Sequence, residues 1–121
     1  MKRTLLAASF FLAAATGFAN AQTVNAGTYS IEGTNLDGSS YEGTATITLA
    51  SDTTCVIEWD TGGSESQGVC MLNENAFAAA YVLGDAIGLV VYKVNGDDTL
   101  DGIWTITGQD GAGTERLTLE N

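Results

Sequence analysis

The chain has no histidine and no proline, and it contains only four basic residues among its 121. Without histidine, Ser–His and Cys–His nucleophilic pairs and His-bearing zinc sites are excluded. Glycine clusters are present, but they fall between strand-like runs rather than before a helix, so no phosphate-binding loop is indicated. These absences predict a protein that is not an enzyme and carries no cofactor.

Two of the four basic residues, Lys2 and Arg3, open the chain and precede an apolar run over 5–16. The tripeptide Ala19-Asn20-Ala21 then supplies a cleavage site before Gln22, which is the pattern of a secretory signal peptide. The apolar run is too short to span a bilayer, and no later run is long enough to cross one as a helix. We therefore predict a signal peptide over 1–21, cleaved after Ala21, and one mature domain over 22–121. The mature protein is expected in the periplasm or secreted, without membrane insertion.

After cleavage, Lys93 and Arg116 are the remaining basic residues against fifteen acidic ones. The resulting negative electrostatic field repels nucleic acids and anionic membrane surfaces, so neither is an expected partner. A solvated acidic coat that maintains solubility explains the charge most simply. A basic partner is the alternative.

Short runs of alternating apolar and polar residues fill the mature chain, with turn signals at roughly ten-residue spacing. They predict an all-β fold, an eight-stranded antiparallel up-and-down meander. Closing the meander into a barrel removes its two exposed edges. The predicted strands are 27–33, 40–50, 53–60, 65–73, 76–83, 86–94, 100–108 and 113–120.

Both cysteines lie in one predicted hairpin. If Gly62-Gly63 is a two-residue turn, Cys55 falls directly opposite Cys70. Cross-strand neighbours of this kind are close enough for a disulfide, which persists in an oxidising compartment. The wide spacing lacks the features that make a cysteine pair redox-active. We predict one structural disulfide.

A turn at Gly84-Asp85 similarly sets Phe77 opposite Tyr92 and Tyr81 opposite Gly88. Aromatic residues that face glycines can fill a narrow barrel interior without clashes, which argues against a large cavity. The predicted interior aromatic residues are Tyr29, Tyr41, Trp59, Phe77, Tyr81, Tyr92 and Trp104.

The opposite face of 76–94 is also apolar, whereas other strands carry threonine or charge on their predicted exterior. An apolar surface of this kind often marks a contact with a protein partner or a second copy of the chain. Alternatively, a loop or terminus covers it, or the inside and outside are locally reversed. The predicted contact residues are Ala78, Ala80, Val82, Ile87, Leu89 and Val91.

Two acidic features need separate interpretation. Glu115 alternates with Leu117 and Leu119, so it points inward near one barrel mouth, where hydrogen bonds to Tyr or Trp are expected. The loop 95–102 is rich in Asn and Asp, but it lacks EF-hand spacing and a distant bidentate Glu. It matches the turn at 35–43, which indicates a recurring hairpin unit. No metal site is predicted.

The segments GTYSIEGTNLDGSSYEGTATI, YKVNGDDTLDGIWTITG and GTERL resemble small exported bacterial proteins that are often labelled fibronectin-binding. The resemblance covers most of the mature chain and implies an adhesive role. The predicted architecture, an exported eight-stranded barrel with one disulfide, is also similar to avidins, lipocalins and bacterial metalloprotease inhibitors.

From this pattern we expect an exported, non-enzymatic binding protein that contacts a protein, in the manner of an adhesin and with fibronectin as one candidate. Two alternatives stay open. A small-ligand carrier would need a cavity in the barrel. A periplasmic protease inhibitor of avidin-like architecture would need the segment QTVNAG, or a loop, to enter an active site.

Overall fold

A computed structural model describes residues 23–120, whose regular structure is entirely β-strand. Each strand pairs antiparallel with the next and β8 pairs with β1, which closes the barrel and confirms the predicted fold. Among these residues there is no helix of the length and apolarity needed to cross a membrane. The predicted signal peptide lies outside the described residues. The strands are β1 (Gly27–Thr34), β2 (Ser40–Leu49), β3 (Cys55–Thr61), β4 (Ser64–Asn73), β5 (Ala76–Leu83), β6 (Ala86–Val94), β7 (Thr99–Ile106) and β8 (Gly113–Leu119).

The turn at Gly62-Gly63 sets the register of β3 and β4. Both glycines have positive φ, 59° and 88°, as a tight turn between twisted strands requires. Cys55 therefore pairs with Cys70 at a Cα–Cα distance of 5.0 Å, and the two form a disulfide. The predicted bridge is confirmed, and it fits an exported, non-reducing environment.

Four aromatic side chains lie across glycines on the neighbouring strand. A Cβ added to any of these glycines would overlap the facing ring, so a side chain there would displace it. The rings therefore lie against the barrel wall, over the places where the wall has no side chains of its own. The pairs are Gly33 with Tyr41, Gly88 with Tyr81, Gly102 with Tyr92, and Gly113 with Trp104.

One end of the barrel is filled by the apolar core and by the segment that precedes β1. Val24 packs against this core, and the Tyr29 hydroxyl donates a hydrogen bond to the Asn25 carbonyl at 2.6 Å. The disulfide lies at the same end. The largest side chains that are almost completely buried are Tyr29, Tyr92, Phe77, Ile31, Ile47, Ile57 and Leu117.

Two strand ends lie two residues inside their predicted bounds. β3 begins at Cys55 rather than at 53, because the Ser51 hydroxyl accepts hydrogen bonds from the backbone N–H groups of Thr53 and Thr54 and holds them in a turn. β7 ends at Ile106 rather than at 108. There Gly108 has a φ of 85°, and the Gln109 N–H bonds back to the Ile106 carbonyl.

Candidate functional site

A carboxylate lies inside the barrel and is bonded by side chains from three other strands. Glu115 on β8 is only 7% exposed. Its Oε1 accepts a hydrogen bond from the Tyr41 hydroxyl of β2 at 2.6 Å, and its Oε2 accepts one from Trp59 Nε1 of β3 at 3.0 Å. The Tyr92 hydroxyl of β6 also donates to Oε2. The sequence-based expectation that Glu115 bonds to Tyr or Trp describes this arrangement, although its three donors could not be named.

The phenols around Glu115 are held in the neutral form. Burial, followed by the negative charge of Glu115, raises the pKa of Tyr81 to about 12. The same two causes, with the hydrogen bond to Glu115 added, raise the pKa of Tyr41 and of Tyr92 far above its ordinary value. These phenols therefore remain hydrogen-bond donors throughout the physiological range.

Above Glu115 the barrel opens into a cavity of about 330 Å³. The cavity lies at the end that carries the turns 62–63 and 84–85, opposite the end closed by Val24. Tyr41, Trp59, Tyr81 and Trp104 form its aromatic walls. The Trp59 and Tyr81 ring centroids lie 5.2 Å apart, and those of Tyr41 and Trp104 lie 6.3 Å apart.

The polar groups of these aromatic side chains are already hydrogen-bonded within the protein. The Tyr81 hydroxyl donates to the Thr105 carbonyl at 3.1 Å, and Trp104 Nε1 donates to the Thr114 carbonyl at 3.3 Å. By contrast, the hydroxyls of Ser64 and Ser66, which also line the cavity, make no side-chain hydrogen bond to another group among residues 23–120. The cavity therefore presents aromatic rings, together with a few hydroxyls that are available to a bound molecule.

All seven predicted interior aromatic residues face the barrel lumen or its mouth. Tyr29, Trp59, Phe77, Tyr81 and Tyr92 are buried, while Tyr41 and Trp104 are half-buried at the mouth. Packed side chains fill the closed end, as the sequence argument against a large cavity expects, and the cavity at the mouth is of modest size. At the mouth the rings lie against wall glycines, so they line the lumen instead of filling it. Sequence reasoning also missed four lining residues, which alternation and strand register could have placed inside: Thr61, Ser64, Leu83 and Ile106.

The six predicted contact residues all lie exposed on the outer face of β5 and β6: Ala78, Ala80, Val82, Ile87, Leu89 and Val91. The expectation that this exterior is apolar on those two strands alone is wrong. Val69 and Met71 of β4 and Ile103 of β7 extend it, each more than half exposed. Their registers set Val69 beside Ala80, and Ile103 beside Val91. We call the patch formed by these nine residues the apolar outer face.

The acidic loops are closed by their own side chains. Asp97 Oδ1 accepts hydrogen bonds from the Thr99 N–H and hydroxyl, and Asn95 Nδ2 donates to Asp101 Oδ2 at 2.9 Å. Asp37 and Ser39 repeat the Asp97–Thr99 bonds in the β1–β2 loop. Within residues 23–120, no group of three or more Asp, Glu or Cys side chains is placed to hold a metal ion.

No known protein family and no curated protein matches this sequence. Several solved β-barrels match its fold. A redesigned barrel, b11L5F_LGL, has a TM-score of 0.70 and 16% identity over 79% of this chain and 91% of that one. A second redesigned barrel, mFAP1, solved bound to DFHBI, has a TM-score of 0.65 and 17% identity over 77% and 93% of the two chains. A mutant of the fluorescent protein UnaG has a TM-score of 0.52 and 12% identity over 79% and 96%.

At such identities the likeness establishes the architecture alone: the chain is an eight-stranded up-and-down β-barrel. None of these matches carries the fibronectin-binding label that the sequence resemblance implied.

Proposed function

We propose that this protein is an exported, non-enzymatic binding protein that holds a small organic molecule in the mouth of its barrel. The observation that carries the proposal is the open cavity of about 330 Å³, walled by aromatic rings whose polar groups are bonded elsewhere. This volume lies at the lower end of the range typical of small-molecule sites. Mostly apolar walls with a few convergent polar groups are also characteristic of such sites.

The solved barrels with this fold also favour a small-molecule ligand. The barrel mFAP1 was solved with the small molecule DFHBI bound, and its fold is shared by this chain. A carrier was the sequence-based alternative that required a cavity, and the cavity is present. A periplasmic protease inhibitor has less support, because Val24 and Asn25 of the QTVNAG segment contact the barrel. Asn25 Nδ2 donates to Asp98 Oδ1 at 3.1 Å.

The proposal can be tested by a substitution that fills the cavity. Ser66 is half-buried and points inward opposite Trp59, so Ser66→Phe should place a ring in the cavity and abolish ligand binding with little effect on folding. Gln67→Phe is the matched control, since Gln67 is the next residue along β4 and lies on the outer surface.

Binding would be measured with a panel of small aromatic ligands, by the rise in thermal midpoint and by the change in Trp59 and Trp104 fluorescence. Equal binding by wild type and both variants would place the ligand elsewhere. No binding by any ligand of the panel would remove the support for a carrier.

A second function, contact with a protein, is favoured by the apolar outer face. One margin of this face is an open depression across β2–β5, lined by Glu58, Asp60 and Glu65 as well as by Val69 and Val82. An apolar strip beside acidic side chains suits a partner segment that carries both apolar and basic residues. The adhesive role and fibronectin, implied by the sequence resemblance, are specific forms of this second proposal. A pull-down with fibronectin, with the apolar outer face intact and substituted, tests them.

A further inference from the structure

The site at the barrel mouth holds a negative charge that no basic side chain of the described residues neutralises. Glu115 accepts hydrogen bonds at both carboxylate oxygens, and its donors, two phenols and an indole, are all neutral. Hydrogen bonds from neutral groups lower the cost of burying a carboxylate, but they leave its charge in place. The field of Glu115 therefore extends into the cavity.

Within 23–120 there are two basic residues, and both side chains lie on the outer surface of the barrel. Arg116 alternates with Glu115 along β8 and is exposed, and its Nε bonds to Asp101 Oδ1 at 2.8 Å. Lys93 is exposed on β6, in register with the same Asp101. Neither side chain faces the cavity. The loops around the mouth add Asp37, Asp85 and Asp110 to the negative potential.

The aromatic walls of the cavity also favour a positively charged ligand. Each aromatic ring presents a partial negative charge on its face, and several rings around one space form a cage for an organic cation. Trp59, Tyr81 and Trp104 present rings to this cavity, and tryptophan is the strongest of the aromatic side chains in this interaction. A carboxylate below the rings strengthens the attraction, because the surroundings are partly shielded from water.

We infer that the ligand of this site is an organic cation, an ammonium group attached to an apolar or aromatic body. The inference rests on the proposed small-ligand function and specifies its ligand. The cationic group would lie over the rings of Trp59 and Tyr81 above Glu115. The apolar body would extend along Leu83, Ile106 and Trp104 towards the mouth. An anionic ligand would meet the field of Glu115 and is expected to bind weakly.

The test uses three probes with the same aromatic body and different charge: 2-phenylethylammonium, 2-phenylethanol and phenylacetate. A fourth, benzyltrimethylammonium, has no N–H group, so it separates attraction by the rings from hydrogen bonding. Dissociation constants would be measured by calorimetry and tryptophan fluorescence on the chain from residue 22 with its disulfide formed. We expect both cations to bind at least about tenfold more tightly than the alcohol, the carboxylate to bind most weakly, and added salt to reduce cation binding.

Glu115→Gln keeps the shape of the side chain and removes its charge. It should reduce the preference for the ammonium over the alcohol to the part that the aromatic rings supply, with little change in the affinity for the alcohol. Glu42→Gln is the control, because it makes the same change in net charge on the exposed outer side of β2, next to Tyr41. If Glu115→Gln does not fold, the order of the probes on the wild-type protein decides the question.

The outcomes separate the two proposals. Equal affinity for ammonium and alcohol, or preferential binding of the carboxylate, would overturn the cation inference and leave small-ligand binding in place. Loss of the cation preference in Glu42→Gln as well as in Glu115→Gln would assign it to net charge and also overturn the inference. Failure of every probe, charged or neutral, to bind would count against the proposed function itself.

Discussion

Substitution of Gly88 by alanine should test whether the aromatic rings set the shape of the barrel mouth. Gly88 on β6 pairs with Tyr81 on β5, and a Cβ there would overlap Cζ, Cε2 and Oη of the Tyr81 side chain. These are the nearest atoms to that position, and all belong to one side chain. The methyl group therefore conflicts with the ring rather than with the backbone.

The expected loss of stability follows from the interactions that the displaced Tyr81 ring would lose. Displacing it breaks the hydrogen bond from its hydroxyl to the Thr105 carbonyl, which contributes about 1 kcal/mol. Repacking of an overfilled site adds roughly 1–3 kcal/mol. Gly88→Ala should therefore lower the free energy of unfolding by about 2–4 kcal/mol. The displaced ring would also enter the cavity and weaken ligand binding.

A double-mutant cycle gives the decisive comparison. In a Tyr81→Ala background the conflict is absent, and Gly88→Ala should be neutral or stabilising by about 0.4–1 kcal/mol, because alanine restricts the unfolded chain. The four proteins would be compared by urea unfolding, followed by tryptophan fluorescence and circular dichroism. An equal loss in both backgrounds would refute the role assigned to the ring and would place the strain in the backbone of β6.

Three further results are expected. Reduction of the Cys55–Cys70 bridge, which spans 15 residues, should lower the free energy of unfolding by about 3 kcal/mol in denaturant titrations, and free thiols in the unreduced protein would contradict the assignment. Replacing Ile87 and Leu89 together by lysine should leave the circular dichroism spectrum unchanged and abolish association in sedimentation and pull-down, because ammonium groups buried in a contact without partners are costly. An unfolded variant would show that these side chains belong to the core. Unchanged association would remove the contact proposal. Burial raises the pKa of all four tyrosines above the unfolded value of about 10, so the stability they contribute is complete below pH 10 and is lost as the pH rises beyond it. In an alkaline titration, tyrosinate absorbance should therefore appear together with loss of the barrel's circular dichroism, and ionisation near pH 10 in an intact barrel would be the contrary result.

The strand registers could be predicted from the sequence because tight turns fix them locally. Gly62-Gly63 and Gly84-Asp85 each determine every cross-strand pair of one hairpin, including Cys55 with Cys70. Alternation then assigned each side chain to the inside or the outside. The one free choice, which face is the interior, was settled by the aromatic residues and agrees with the observed burial.

The candidate site could be predicted only in part. Glu115 was placed inside by alternation, but its donors Tyr41, Trp59 and Tyr92 come from three strands that are distant in sequence. Only the closed barrel brings them together. The sequence left open whether the barrel holds a cavity, because side-chain volume can be read from a sequence, whereas the direction of a ring against the wall cannot. The extension of the apolar outer face to Val69, Met71 and Ile103 was missed because the exteriors of β4 and β7 also carry polar residues, which hide so short an apolar stretch.

One of the eight strand contacts has a consequence for how this chain assembles. Seven contacts join neighbours in sequence and can form as local hairpins, whereas the contact between β1 and β8 sets Tyr29 beside Leu119. Until this seam closes, the molecule is a curled sheet whose first and last strands expose unpaired backbone groups. The disulfide links two adjacent strands of one hairpin and does not join the strands of the seam. We therefore expect seam closure, rather than hairpin formation, to be the slow, non-local step, during which one chain's open edges can pair with another's.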